Sequence, residues 1–105
     1  MRAHTANDLR DIGNLVAADG STAIATGVAC GVSDLNGRRL EQAQLIASET
    51  SHMILFRAAD VAALPDSGYV QVDGLLYVVD YRQDPRRPRA GMWTEIFCHV
   101  ERAGQ

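Results

Sequence analysis

From residue 22 to residue 33 the chain alternates strictly between two kinds of side chain. Thr22, Ile24, Thr26, Val28, Cys30 and Val32 are mostly β-branched, while Ala23, Ala25, Gly27, Ala29, Gly31 and Ser33 between them are all tiny. Successive side chains of a strand point to opposite faces, so this period of two predicts a strand with the even set toward the core. The tiny face carries none of the charge expected of a solvated surface. It reads either as a site of close approach by a neighbouring element or subunit, or as a small-residue face without a partner.

The same alternation returns further on. A strand is expected over 48–58 with Ile54 and Phe56 inward, and Met53 and Leu55 make its other face apolar too, which suggests a contact surface. Short strands are expected at 69–72, with Val70 and Val72 inward, and at 75–82, joined by Asp73-Gly74. That dipeptide is a strong hairpin signal because Asp and Gly tolerate positive φ. The strand at 75–82 is apolar on both sides, and a last strand is expected over 92–101. Between the strands, 36–44 is rich in straight-chain and charged residues, with Leu40 and Ala43 on one stripe, and predicts a short helix. Residues 59–67 read as a loop with one helical turn before Pro65.

At the start of the chain, Thr5 to Asp8 resembles a helix cap, Leu9 and Ile12 form an apolar side, and Gly13 provides a stop. A short N-terminal helix is expected there, followed by an extended stretch to the Asp19-Gly20 turn. Together the elements predict a mainly β fold: a small antiparallel β-sandwich or barrel with one short helix in the middle and a short helix at the N-terminus.

Composition narrows the class. The chain has 105 residues, which fits a single domain over 1–105, with 1–19 a less constrained N-terminal segment. Hydrophobic residues make up 47% and charged residues 22%, which excludes a disordered chain. A net charge of −3 argues against a generally basic nucleic-acid binder. No apolar signal-peptide core occupies 1–18, and the longest apolar runs fall well short of the ~20 residues of a membrane span. A soluble protein made in a reducing compartment is expected, with Cys30 and Cys98 as buried strand thiols. A zinc site from Cys30, Cys98, His52 and His99 is disfavoured, because adjacent strand residues such as Cys98 and His99 face opposite ways.

Candidate chemistry is sparse. There is no nucleophile elbow, phosphate-cradling glycine loop or zinc-protease helix motif, so no catalytic residue and no cofactor are assigned. Asp80 and Asp84 read as solvated acids at a hairpin end. All ten basic residues are arginine, and Arg82, Arg86, Arg87 and Arg89 gather around one loop. The planar guanidinium fork suits carboxylate or phosphate, so this loop reads either as a reach toward a partner or as a solvated loop balanced by Asp80 and Asp84. Tyr77, Tyr81, Trp93 and Phe97 flank it, as core or interface anchors or as a stacking platform for single-stranded nucleic acid.

One stretch carries a family resemblance. Val32-Ser-Asp-Leu-Asn-Gly-Arg-Arg-Leu-Glu-Gln-Ala-Gln44, followed by Ser48-Glu-Thr-Ser-His-Met-Ile-Leu-Phe-Arg57, resembles the central region of tailed-phage head-tail joining proteins, also called head closure or head completion proteins. Members typically show a P-L-S-G-R-E-L-x-x-A turn and helix and then a T-H-x-I-x-I-R strand. Here Asn36 stands where Ser is common and Arg39 where Glu is common. The hairpin over 70–81, the Asp84-Pro85-Arg86-Arg87 loop and the strand over 94–101 are also similar, giving coverage of roughly 20–102.

The resemblance implies a β-sandwich or barrel with a helix and no catalysis. It implies a virion protein of the head-tail connector, made in the host bacterial cytoplasm. Copies would form a homo-oligomeric ring that closes the filled capsid, with a portal or adaptor protein on the head side. A tail terminator or tail-tube protein would lie on the tail side, packaged DNA would be a possible contact, and no membrane is involved. Alternatives are a tail-completion or adaptor subunit of the same stack, and a nucleic-acid-binding β-barrel module. Subunit contacts would account for surplus apolar strand faces, so Ala23, Ala25, Gly27, Ala29, Met53 and Leu55 are the interface candidates.

Overall fold

The computed structural model describes residues 8–83 and 92–101. Its elements run β1 (Asp11–Val16), β2 (Ala23–Asp34), α1 (Gly37–Ile46), β3 (His52–Arg57), a 3-10 turn (Ala58–Val61), β4 (Tyr69–Val72), β5 (Leu75–Gln83) and β6 (Trp93–Val100). The six strands close into a barrel in the order β1-β2-β3-β6-β5-β4. Every pair is antiparallel, and β1 meets β4 to complete the ring of strands. Closure leaves the barrel no long free edges, which a small sheet otherwise has to guard. No helix among the described residues is long and apolar enough to cross a membrane.

The β4–β5 hairpin forms as its sequence dictates. Val72 pairs with Leu75, and the two residues between them take positive φ, 52° at Asp73 and 80° at Gly74. A two-residue turn with both centres in that region matches the twist of the flanking strands.

Two apolar clusters lie on the two sides of the barrel wall. The inner one includes Leu15, Cys30, Ile54, Phe56, Val70 and Ile96. The outer one is Leu35, Ala43, Met53, Leu55, Trp93 and Phe97, with Leu9, Leu40 and Tyr81 packed against it. Alternation along β3 sends Ile54 and Phe56 inward and Met53 and Leu55 outward, where α1 covers them. Met53 and Leu55 are 4% and 2% exposed, so they are not subunit-interface residues. The expected second apolar face is real, but the chain's own helix occupies it.

The N-terminal segment departs from expectation. Residues 11–16 form a strand, not the end of a helix. Gly13 and Leu15 face inward while Ile12 is 62% exposed. A Cβ at Gly13 would lie 3.1 Å from Cys30 Sγ and 3.2 Å from a Val72 methyl, so this glycine lets β2 and β4 close around β1. The Leu9–Ile12 spacing fits a helix, but pairing on both edges of β1 overrides so short a local pattern. Thr5, Ala6 and Asn7 lie outside the described residues.

In β2 the alternation changes phase. Gly13 pairs with Val28 but Leu15 pairs with Ala25, so one extra residue is accommodated between them. Gly27 takes φ +67° there and donates its N–H to Asn14 Oδ1 at 3.1 Å. This bulge turns Ala25 toward the interior cluster, opposite Leu15, so Ala25 is not part of an outward small-residue face. Further along, Gly31 is buried beneath the chain's own N-terminal segment. A Cβ at Gly31 would collide with the Asp8 carbonyl oxygen. The close approach suggested by the tiny residues occurs at Gly31, and Asp8 supplies it.

Candidate functional site

The densest polar constellation sits where α1 returns to the barrel. In β5, Val79 pairs with Cys98 and Tyr81 with Phe97, so Asp80 occupies a bulge. Its side chain is 11% exposed. Thr50, fully buried, donates its hydroxyl to Asp80 Oδ2 at 2.7 Å. His99 Nδ1 lies 2.9 Å from Asp80 Oδ1, and His99 Nε2 lies 3.2 Å from Glu49 Oε2. Both ring nitrogens therefore face carboxylates, and a neutral ring with one N–H serves only one of them at a time. Asp80 is not the solvated hairpin acid that the sequence suggests. A carboxylate in a half-closed bulge needs donors, and Thr50 and His99 supply them.

The network fastens the α1–β3 connection. Gln44 Nε2 donates to the Thr50 carbonyl at 3.1 Å, and the Ser51 N–H donates to the Cys98 carbonyl at 3.0 Å. A second string runs beside it: Ser51 Oγ lies 2.7 Å from His52 Nδ1, and His52 Nε2 lies 2.9 Å from Asp34 Oδ1. The His52 ring also meets Tyr77 edge-on at 5.4 Å. A hydroxyl, an imidazole and a carboxylate in a row have the parts of a nucleophile string. Asp34 is 84% exposed, however, so water screens the charge that would stabilise an imidazolium. Its structural effect is to tie the end of β2 to the start of β3. These two strings flank a groove of about 710 Å³ lined by Glu49, Ser51, His52, Val78, His99, Val100 and Glu101. Their members are scattered in sequence, and only strand register places them together.

The two cysteines lie in the interior cluster, both free and fully buried. Burial pushes the Cys30 thiol up to about 12, with Asp11 and Asp73 adding to the effect. Burial pushes Cys98 up as well, with a contribution from Asp80.

The predicted basic loop divides. Arg82 points back at its own barrel: Nη2 donates to the Leu64 carbonyl at 2.6 Å and Nη1 to the Val61 carbonyl at 3.3 Å, with Asp66 Oδ1 at 3.6 Å from Nε. It holds the 3-10 turn and the loop after it in place, so its fork is spent on the fold and does not reach for a partner. Arg86, Arg87 and Arg89 lie outside the described residues.

Of the remaining interface candidates, Ala23 and Gly27 are exposed and Ala29 is half-buried. Trp93 and Phe97 are buried under α1, and Tyr81 stacks on Phe97 at 4.6 Å, so these aromatics anchor the outer cluster.

The surface that sequence patterning missed is aliphatic. Leu45 is 87% exposed and Ile46 65%, side by side at the end of α1. Ile12, Met92 and Leu75 are further large exposed apolar residues. Leu45 falls off the Leu40–Ala43 stripe that meets the barrel, but Ile46, three residues after Ala43, falls beside it, so their joint exposure is settled by how α1 docks. Comparison with known proteins adds no relative: the sequence matches no protein-family model and no curated protein.

Proposed function

We propose that this chain is a structural subunit of a tailed-phage head-tail connector, acting by assembly into a ring that closes the filled head and receives the tail. The observation that carries the reading is the adjacent pair Leu45 and Ile46, exposed to water on a helix whose Leu40–Ala43 stripe packs on the barrel. Scattered exposed apolar residues are ordinary, but neighbouring large aliphatics on one rigid element suit a protein interface. The stretch that resembles head closure proteins folds as a strand, a docked helix and a strand, and this pair closes its helix. A small barrel with one docked helix also fits the architecture that resemblance implies.

The reading is tested by in vitro complementation. Purified protein added to full, tail-less heads lacking it should restore tail attachment, and Leu45→Asp/Ile46→Asp protein of unchanged fold should restore far less. Failure of the unaltered protein to restore attachment contradicts the reading.

A further inference from the structure

We propose that the groove beside His52 and His99 receives the arginine segment at 84–91 of a second copy of this chain. The proposal rests on the connector reading, in which copies of the chain meet, and it names the surfaces that meet. Val78 and Val100 supply the apolar part of the groove's lining, with Glu49 and Glu101 among the other lining residues. The Glu49 side chain is 75% exposed and uses one oxygen on His99, and Asp34, 84% exposed, pairs with His52. Apolar lining beside exposed carboxylates suits a guanidinium on an aliphatic stem, which pairs through its fork while its methylenes cover apolar surface.

The occupant follows from charge and position. Residues 84–91 hold Arg86, Arg87 and Arg89 against a single acid, Asp84. They join Gln83, at the end of β5, to Met92, just before β6. The groove lies at the other end of β6, at His99 and Val100. An eight-residue strand separates these ends by about 25 Å. The residues that flank the segment, Gln83 and Met92, are thus at the end of the barrel opposite the groove, so one copy's segment can meet the next copy's groove. Such a head-to-tail contact is heterologous and closes into a ring when its rotation permits.

The test is sedimentation velocity on the full chain at low salt. The native chain should self-associate, and added salt should weaken the association. Arg86→Glu/Arg87→Glu and Glu49→Arg/Glu101→Arg should each weaken it by about tenfold or more. Glu101→Arg alone, which leaves the Glu49–His99 contact in place, should weaken it in the same direction, and circular dichroism should show each variant folded. Mixing the two double variants should restore association, because the native segment of one meets the native groove of the other and the reversed segment meets the reversed groove. A native chain that stays monomeric overturns the proposal. So does association that survives both double variants, and a mixture that behaves as its separate parts. Those results leave the connector reading standing, because it is judged by tail attachment.

Discussion

His99 Nδ1 and Asp80 Oδ1 lie 2.9 Å apart across the bulge where β5 meets β6, and Thr50 reaches the same carboxylate from the loop that follows α1. Through Thr50, this carboxylate joins the barrel wall to the connection that follows α1. Asp80→Ala removes the acceptor and leaves a fully buried Thr50 hydroxyl unpaired. The expected loss is about 1–3 kcal/mol, and about 4–8 °C of melting temperature for each kcal/mol at this chain length. Adding Thr50→Val should recover part of it, since removing both partners costs less than orphaning one. Thermal unfolding of the two single variants and the double variant measures this.

Met53→Ala and Leu55→Ala should each destabilise the isolated subunit by about 2–5 kcal/mol, because both side chains are packed between β3 and α1. Denaturant unfolding of the purified chain checks this. If these residues were subunit contacts, monomer stability would hardly change.

Gly31→Ala should displace the segment at Asp8 and Leu9, because the new methyl would occupy the place of the Asp8 carbonyl oxygen. Hydrogen exchange at residues 8–10 should accelerate markedly while the β3–β6 ladder stays protected. Gly13→Ala meets its neighbours at 3.1 Å and beyond, so its effect should be milder and spread over β1, β2 and β4.

The thiols should resist alkylation in the native protein and react fully once it is unfolded, since both are buried and free. Their titration also sets an alkaline limit. The Cys30 thiol ionises near 9.0 in the unfolded chain and at about 12 in the folded one. Above pH 9 the unfolded state therefore holds fewer protons, and stability falls as pH rises toward 12. Cys30→Ser should flatten that decline in a pH series of unfolding curves.

Asp19 acts at the acid end. The Thr22 hydroxyl, with the Thr22 and Ser21 N–H groups, lowers its carboxyl from 3.8 to about 2. Its contribution is present above pH 3.8 and is lost as pH falls toward 2. Asp19→Ala should make unfolding less pH-dependent in that window, with little change in the slope above it.

Much of this fold was legible because alternation and turn chemistry agree at Val70, Val72, Asp73 and Gly74, and at Ile54 and Phe56. What was not legible depends on register. The bulge at Gly27 reverses the facing of Ala25, and the bulge at Asp80 brings an apparently solvated acid to Thr50 and His99. Gly13 and Gly31 read as a helix stop and a small-residue stripe, yet each answers to specific neighbours, Cys30 and Val72 for Gly13 and Asp8 for Gly31. Met53 and Leu55 were recognisable as a second apolar face, but their periodicity does not say whether a helix or another subunit covers it. Likewise, the exposure of Leu45 and Ile46 becomes visible only once α1 is docked.

The most direct test of the connector reading is electron microscopy of phage particles made with and without this chain. Heads that are filled with DNA but carry no tails, regaining tails when the chain is restored, are the predicted result. Intact tailed particles made in its absence would contradict the account.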